Sequence, residues 1–112
     1  MKDFPQLIKE ANEQIKTVSV DDLKSQINDP HLIIIDVQSK EAVEDSGMIQ
    51  NAVHANRGFL EFYFDQRPDN PFKKIEVKRE NKIIVYCGAG GQGALATKTL
   101  QDMGFQDVSN LE

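Results

Sequence analysis

Two apolar runs dominate the hydropathy pattern, His31-Leu-Ile-Ile-Ile-Asp36-Val37 and Lys82-Ile-Ile-Val-Tyr86-Cys87. Both are short, rich in β-branched residues and free of polar alternation. Such runs predict strands covered on both faces, as in a central parallel sheet. Elsewhere the period lengthens. Leu7, Ile8, Ala11, Ile15 and Val18 recur at helical spacing, with Pro5 near the start where a missing N–H costs little. They predict an N-terminal helix over residues 1–17. Ser19-Val-Asp-Asp22 has the form of a capping box, with Asp22 in the glutamate position. It opens a short helix that turns Leu23 and Ile27 inward and ends at Asn28-Asp-Pro30. Ser39 caps the next helix, which runs to about Glu44 and stops near Gly47. Val53-His54 reads as a short strand, 58–64 as a short helix, and 65–80, with Pro68 and Pro71, as the least regular stretch. The second apolar strand precedes a helix over 94–103 with Gly104 at its C-cap, and Val108 marks a last short strand. This alternation predicts a three-layer α/β domain, a central mainly parallel sheet flanked by helices, with 1–112 forming one domain.

Chemistry concentrates after the second strand. Cys87 is the chain's single cysteine, and Gly88, Gly90, Gly91 and Gly93 follow it at once. That is more glycine than an ordinary strand–helix connection needs. A sulfur at the carboxyl tip of a strand, facing a helix N-terminus across flexible peptides, is placed for anion chemistry. Exposed N–H groups and the positive end of the helix dipole favour thiolate over thiol. In open α/β sheets ligands bind at the carboxyl ends of the strands, and Asp36 ends the other central strand at that edge. Asp36 reads as a structural hydrogen-bond acceptor rather than a catalyst.

Composition narrows the classes. The 112 residues are 39% hydrophobic and 28% charged, ordinary for a globular protein. A formal charge of −5 offers no footprint for nucleic acid. One cysteine excludes an internal disulfide framework and a metal site of several thiolates. No signal-like or membrane-spanning apolar stretch is present, so a cytosolic, reducing compartment is the expectation.

Several separated blocks resemble the rhodanese family of single-domain sulfurtransferases, over about residues 18–112. Ile33-Ile-Ile-Asp36-Val-Gln is similar to the family's apolar run ending in Asp-Val-Arg, and Ser46-Gly-Met-Ile49-Gln-Asn-Ala52 to its Gly-His-Ile-Pro-Gly-Ala. Arg57-Gly-Phe-Leu-Glu61-Phe resembles the Arg-Gly-x-Leu-Glu of one bacterial branch. Ile84-Val-Tyr-Cys87, the helix through Phe105, and Val108-Ser-Asn-Leu-Glu112 follow the family's active-site strand, loop and closing helix.

The resemblance implies transfer of a sulfane sulfur from thiosulfate or another persulfide donor, a protein persulfide included, to cyanide or a thiol. It implies Cys87 as nucleophile, and the amides of Gly88, Ala89, Gly90, Gly91 and Gln92 as the cradle for persulfide and substrate anion. Such a cradle stabilises negative charge with preorganised N–H dipoles and needs no metal or organic cofactor. Nucleic acid and membrane are not expected as partners. The loop departs from the branch pattern Cys-x-x-Gly-x-Arg-Ser, because Gln92 stands in place of the arginine and Gly93 in place of the serine. A weakened thiosulfate sulfurtransferase, or one adapted to another donor, is therefore expected. Arg57 is equally a source of the missing positive charge and a structural ion pair. Phe59, Phe62, Tyr63 and Phe64 read as core and cover packing before a substrate entrance, and His31 and His54 as non-catalytic. Two alternatives stand beside the enzyme. A Cys-x5-Arg phosphatase or arsenate reductase is disfavoured by Gly93, and a non-catalytic binding or sulfur-sensing module leaves the retained Cys87 unexplained.

Overall fold

The computed structural model describes residues 1–88 and 91–112. Helix α1 (Phe4–Gln14) leads to strand β1 (Lys16–Val18), α2 (Val20–Gln26) and β2 (Leu32–Asp36). Then come α3 (Lys40–Ser46), β3 (Val53–His54) and a 3-10 turn (Arg57–Phe59) running into α4 (Leu60–Phe64). Strand β4 (Lys82–Tyr86), α5 (Gly91–Asp102) and β5 (Val108–Leu111) complete the order. Among the described residues the five strands form one wholly parallel sheet in the order β1-β5-β4-β2-β3.

The apolar runs become the two inner strands for the reason their lack of alternation suggested. On one face Ile35, Ile83 and Val85 join Leu60, Phe64, Ala96 and Leu100 of α4 and α5. On the other face Ile34, Ile84 and Tyr86 join Leu23 of α2, with Ile49 and Ala52 packed against them. A strand with protein on both sides has no solvent face to make polar, so adjacent residues can all be apolar. This is the three-layer α/β arrangement.

Local caps follow the sequence. Ser19 Oγ accepts from the Asp22 N–H at 3.1 Å, and Ser39 Oγ from the Ala42 N–H at 3.1 Å. Gly47 follows α3 at φ 75° and Gly104 follows α5 at φ 101°, the left-handed region where a side chain would be strained. Residues 65–80 carry no helix or strand, and Gln66 ties the stretch together through the Phe64 and Ile75 carbonyls and the Val77 N–H.

Two expectations need correction. The helix foreseen over 1–17 ends at Gln14; Ile15 turns extended at φ −114°, ψ 164°, and Lys16, Thr17 and Val18 pair with Ser109, Asn110 and Leu111. A three-residue edge strand shows no period of its own and exists because β5 supplies its hydrogen bonds. The helix foreseen over 94–103 begins a turn earlier, at Gly91. Its glycines lower local helix propensity, yet packing overrides that preference at buried Gly93. Among the described residues no helix is long and apolar enough to cross a membrane.

Candidate active site

Strand β2 has β3 on one side and β4 on the other, so the loops leaving β2 and β4 diverge at their carboxyl ends. That is where open α/β sheets form ligand crevices. Backbone bonds gather the loops: Val37 N–H donates to the Tyr86 carbonyl at 3.0 Å, Ala55 N–H to Asp36 at 2.8 Å, and Arg57 N–H to Val37 at 3.2 Å. The result is an open pocket of about 390 Å³ bordered by Val37, Gln38, Asn56, Arg57, Cys87 and Gln92. A second groove of about 360 Å³ lies against Ile83 and Phe105 at the other end of the sheet, and its described lining brings no thiol or histidine.

Cys87 is the first residue past β4 and is half-buried at this pocket. Gly93 N–H, in the first turn of α5, donates to its Sγ at 3.2 Å. First-turn N–H groups have no partner within their own helix, so such a contact satisfies the helix and delivers positive potential to the sulfur. Gly93 also has no room for a side chain: a Cβ there would lie 2.5 Å from Asn110 Oδ1 and 3.5 Å from Cys87 Sγ.

The other candidates divide. Gly88 is exposed on the pocket, close enough to Gln38 that a Cβ would sit 2.9 Å from Oε1. Gln92 is exposed and borders the pocket as a residue of α5 rather than of the loop. Gly91 opens α5 beneath the Phe4 ring of α1, where a Cβ would meet Cζ at 2.6 Å. Ala89 and Gly90 lie outside the described residues. Arg57 fulfils both readings: it borders the pocket, while its guanidinium donates to Glu61 at 3.0 Å and to Thr99 Oγ1 of α5 at 3.1 Å.

Asp36 is fully buried beneath the pocket floor. Its Oδ1 accepts from the Gln38 N–H at 2.8 Å, and its Oδ2 from Gln38 Nε2 at 3.0 Å and the Tyr86 hydroxyl at 2.7 Å. Tyr86 in turn accepts the Ile49 N–H at 2.9 Å. Burial, with the carboxylate beside it, pushes the Tyr86 hydroxyl up to about 12. Asp36, Tyr86 and Ile49 therefore brace Gln38, which forms one wall of the pocket.

Sequence reasoning passed over Tyr86 and Asn110, since a tyrosine ending an apolar strand and an asparagine in a short strand near the end of the chain carry no local signal. His54 turns its ring to the Gln38 carbonyl at 2.8 Å, and His31 is exposed at a turn. Phe64 is core and Tyr63 half-buried, whereas Phe59 and Phe62 are exposed, with ring centroids 6.5 Å apart. Among the described residues no three His, Cys, Asp or Glu side chains come together as metal ligands.

Solved structures similar to this chain include a protein of unknown function from Rhodopseudomonas palustris, described as a possible tyrosine phosphatase. It is 29% identical, with TM-score 0.84 over 100% of this chain and 85% of that one. The human single-domain sulfurtransferase TSTD1 is 26% identical, with TM-score 0.72 over 85% of this chain and 87% of its own. An NAD-dependent persulfide reductase from A. fulgidus shares the fold at 22% identity and TM-score 0.59, matching 95% of this chain to 16% of that one. The family model for the rhodanese-like domain matches residues 19–112, from the cap of α2 to the final residue. The chain belongs to the rhodanese-like domain family.

Proposed function

We propose that the protein is a sulfurtransferase in which Cys87 carries the sulfur. The observation that bears most weight is the Gly93 N–H directed at Sγ, 3.2 Å away, where the sulfur borders an open pocket. The Cys87 thiolate attacks the outer sulfur of thiosulfate or another sulfane donor. An S–S bond forms at Sγ, the donor's own S–S bond breaks, and its electron pair leaves with sulfite or the donor thiolate. Cyanide or an acceptor thiolate then takes the outer sulfur and returns Cys87 as thiolate. Amides at Gly91 and Gln92 and the α5 dipole support the outer sulfur's charge, and Gly88 leaves its approach clear. Ala89 and Gly90 belong to the same cradle in this reading. Arg57 supplies positive potential at the rim although Glu61 shares its charge. Asp36 holds Gln38 in place and takes no part in the chemistry. The chain itself asks for no metal or organic cofactor, since the donor brings the sulfane sulfur and the acceptor carries it away at the same oxidation level.

Similarity to the human sulfurtransferase supports this reading. The name of the Rhodopseudomonas palustris protein prompts a phosphatase alternative, which would require arginine at position 93 to clamp the oxyanion. Gly93 stands there, and Asn110 Oδ1 occupies the space a side chain would need. A non-catalytic module is the remaining alternative. Mass spectrometry after incubation with thiosulfate separates them: the Cys87 peptide gains one sulfur atom, which cyanide removes as thiocyanate, and Cys87→Ser gains none. Absence of the added sulfur with thiosulfate and with a glutathione persulfide overturns the proposal in favour of the module.

A further inference from the structure

Among the described residues Asn110 Oδ1 is the buried side-chain polar atom that no hydrogen-bond partner reaches. Asn110 is 7% exposed and sits in β5 opposite Val85 of β4, two residues before Cys87. Its oxygen and Cys87 Sγ approach the same point beside Gly93, the place a Cβ would occupy, at 2.5 and 3.5 Å. An orphaned carboxamide oxygen is costly in a core, and such groups concentrate where function requires them. Among the described residues no group reaches this oxygen, although the backbone of β5 is paired with β1 and β4.

We infer that Asn110 is a positioning residue whose carboxamide adjusts to the ionisation state of the Cys87 sulfur. This deepens the sulfurtransferase reading and rests on it. A carboxamide is uncharged and presents an acceptor at one tip and a donor at the other. The oxygen stands without a partner among the described residues; a closer approach of the thiol would let it accept from the S–H. After a half-turn about its terminal bond the NH2 faces the thiolate and, after transfer, the persulfide. No covalent bond changes; the proton lost from sulfur passes to solvent at the pocket. Gly93 is then required twice, to aim its N–H at Sγ and to leave space for the carboxamide.

The test measures Cys87 alkylation by iodoacetamide against pH, with no sulfur donor present, in the full chain and in Asn110→Leu and Asn110→Asp. Leucine keeps the bulk but offers neither tip; aspartate keeps the shape, lacks the NH2 and adds negative charge. The midpoint of the alkylation profile is expected to move up in both, further for aspartate, with several-fold slower alkylation at neutral pH. Thermal melting is run alongside, and Asn110→Leu should melt no lower than the parent because an unpaired buried oxygen is removed. Profiles that superimpose on the parent's overturn the inference, as does loss of the fold in both variants, which would make Asn110 purely structural. The sulfurtransferase reading stands or falls separately, on persulfide formation in the parent chain.

Discussion

At the scale of single residues the site depends on a buried polar chain behind it. Tyr86 donates to Asp36 and accepts from Ile49, so Tyr86→Phe removes one donor from a fully buried carboxylate and leaves the Ile49 N–H without its acceptor. The expected loss is about 1–3 kcal/mol in urea denaturation. Its pH dependence has a definite sign. The hydroxyl is raised from 10.0 to about 12 in the folded chain, chiefly by burial and further by Asp36. As pH rises through that window the unfolded chain gives up the proton first, so the stabilisation present below pH 10 is lost by about pH 12. The difference in stability between parent and Tyr86→Phe should therefore shrink across that range. Residue by residue, Cys87, Asp36 and Arg57 could be singled out because each is an unusual type at a strand end or in a motif. Asn110 and Tyr86 could not, since their meaning comes from partners far apart in sequence.

At the scale of elements, the contrast between Gly91 and Gly93 is the sharpest prediction. Both lie in the first turn of α5 and both would bring a Cβ into contact, but the contacts differ in kind. Gly91 faces the Phe4 ring, which is 57% exposed and free to swing aside. Gly91→Ala should be neutral or slightly stabilising, because alanine favours the helix by up to about 1 kcal/mol. Gly93 faces the buried Asn110 carboxamide, so Gly93→Ala should destabilise by about 1–3 kcal/mol and reduce persulfide formation as well. Urea denaturation with sulfur loading measures both. Ser39→Ala, which removes the cap of α3 beside the pocket, should cost about 1 kcal/mol. Helices α2 and α3 were legible because their capping serines are local signals. The start of α5 was hidden by glycines that read as loop. Strand β1 was hidden because Lys16–Val18 becomes a strand only against β5, at the far end of the chain.

At the scale of the molecule, β2 and β4 contribute side chains to both faces of the sheet, so the two cores share their inner strands. Cores joined in this way should melt together, and we expect one calorimetric transition for residues 1–112, in keeping with a single domain. Leu100→Ala, in the core between α5 and the sheet, should lower stability by about 2–5 kcal/mol without splitting that transition. The overall architecture was readable because unbroken apolar strands leave few other places for themselves than the middle of a parallel sheet. The pocket was readable only in outline. Its thiol and rim arginine could be named, but the bracing from Asp36 to Ile49 and the contact across Gly93 arise from the packing of β4 and β5.

One consequence concerns handling of the protein. The Phe4 ring lies over Gly91, so the amino end of the chain comes out beside the turn that faces the reactive thiol. An affinity tag joined there would share space with incoming donors, and bulky donors would be hindered more than thiosulfate. The carboxyl end is no refuge, since Asn110 lies beside Val85 in a parallel pair and carries Glu112 out at the same edge of the sheet as Cys87.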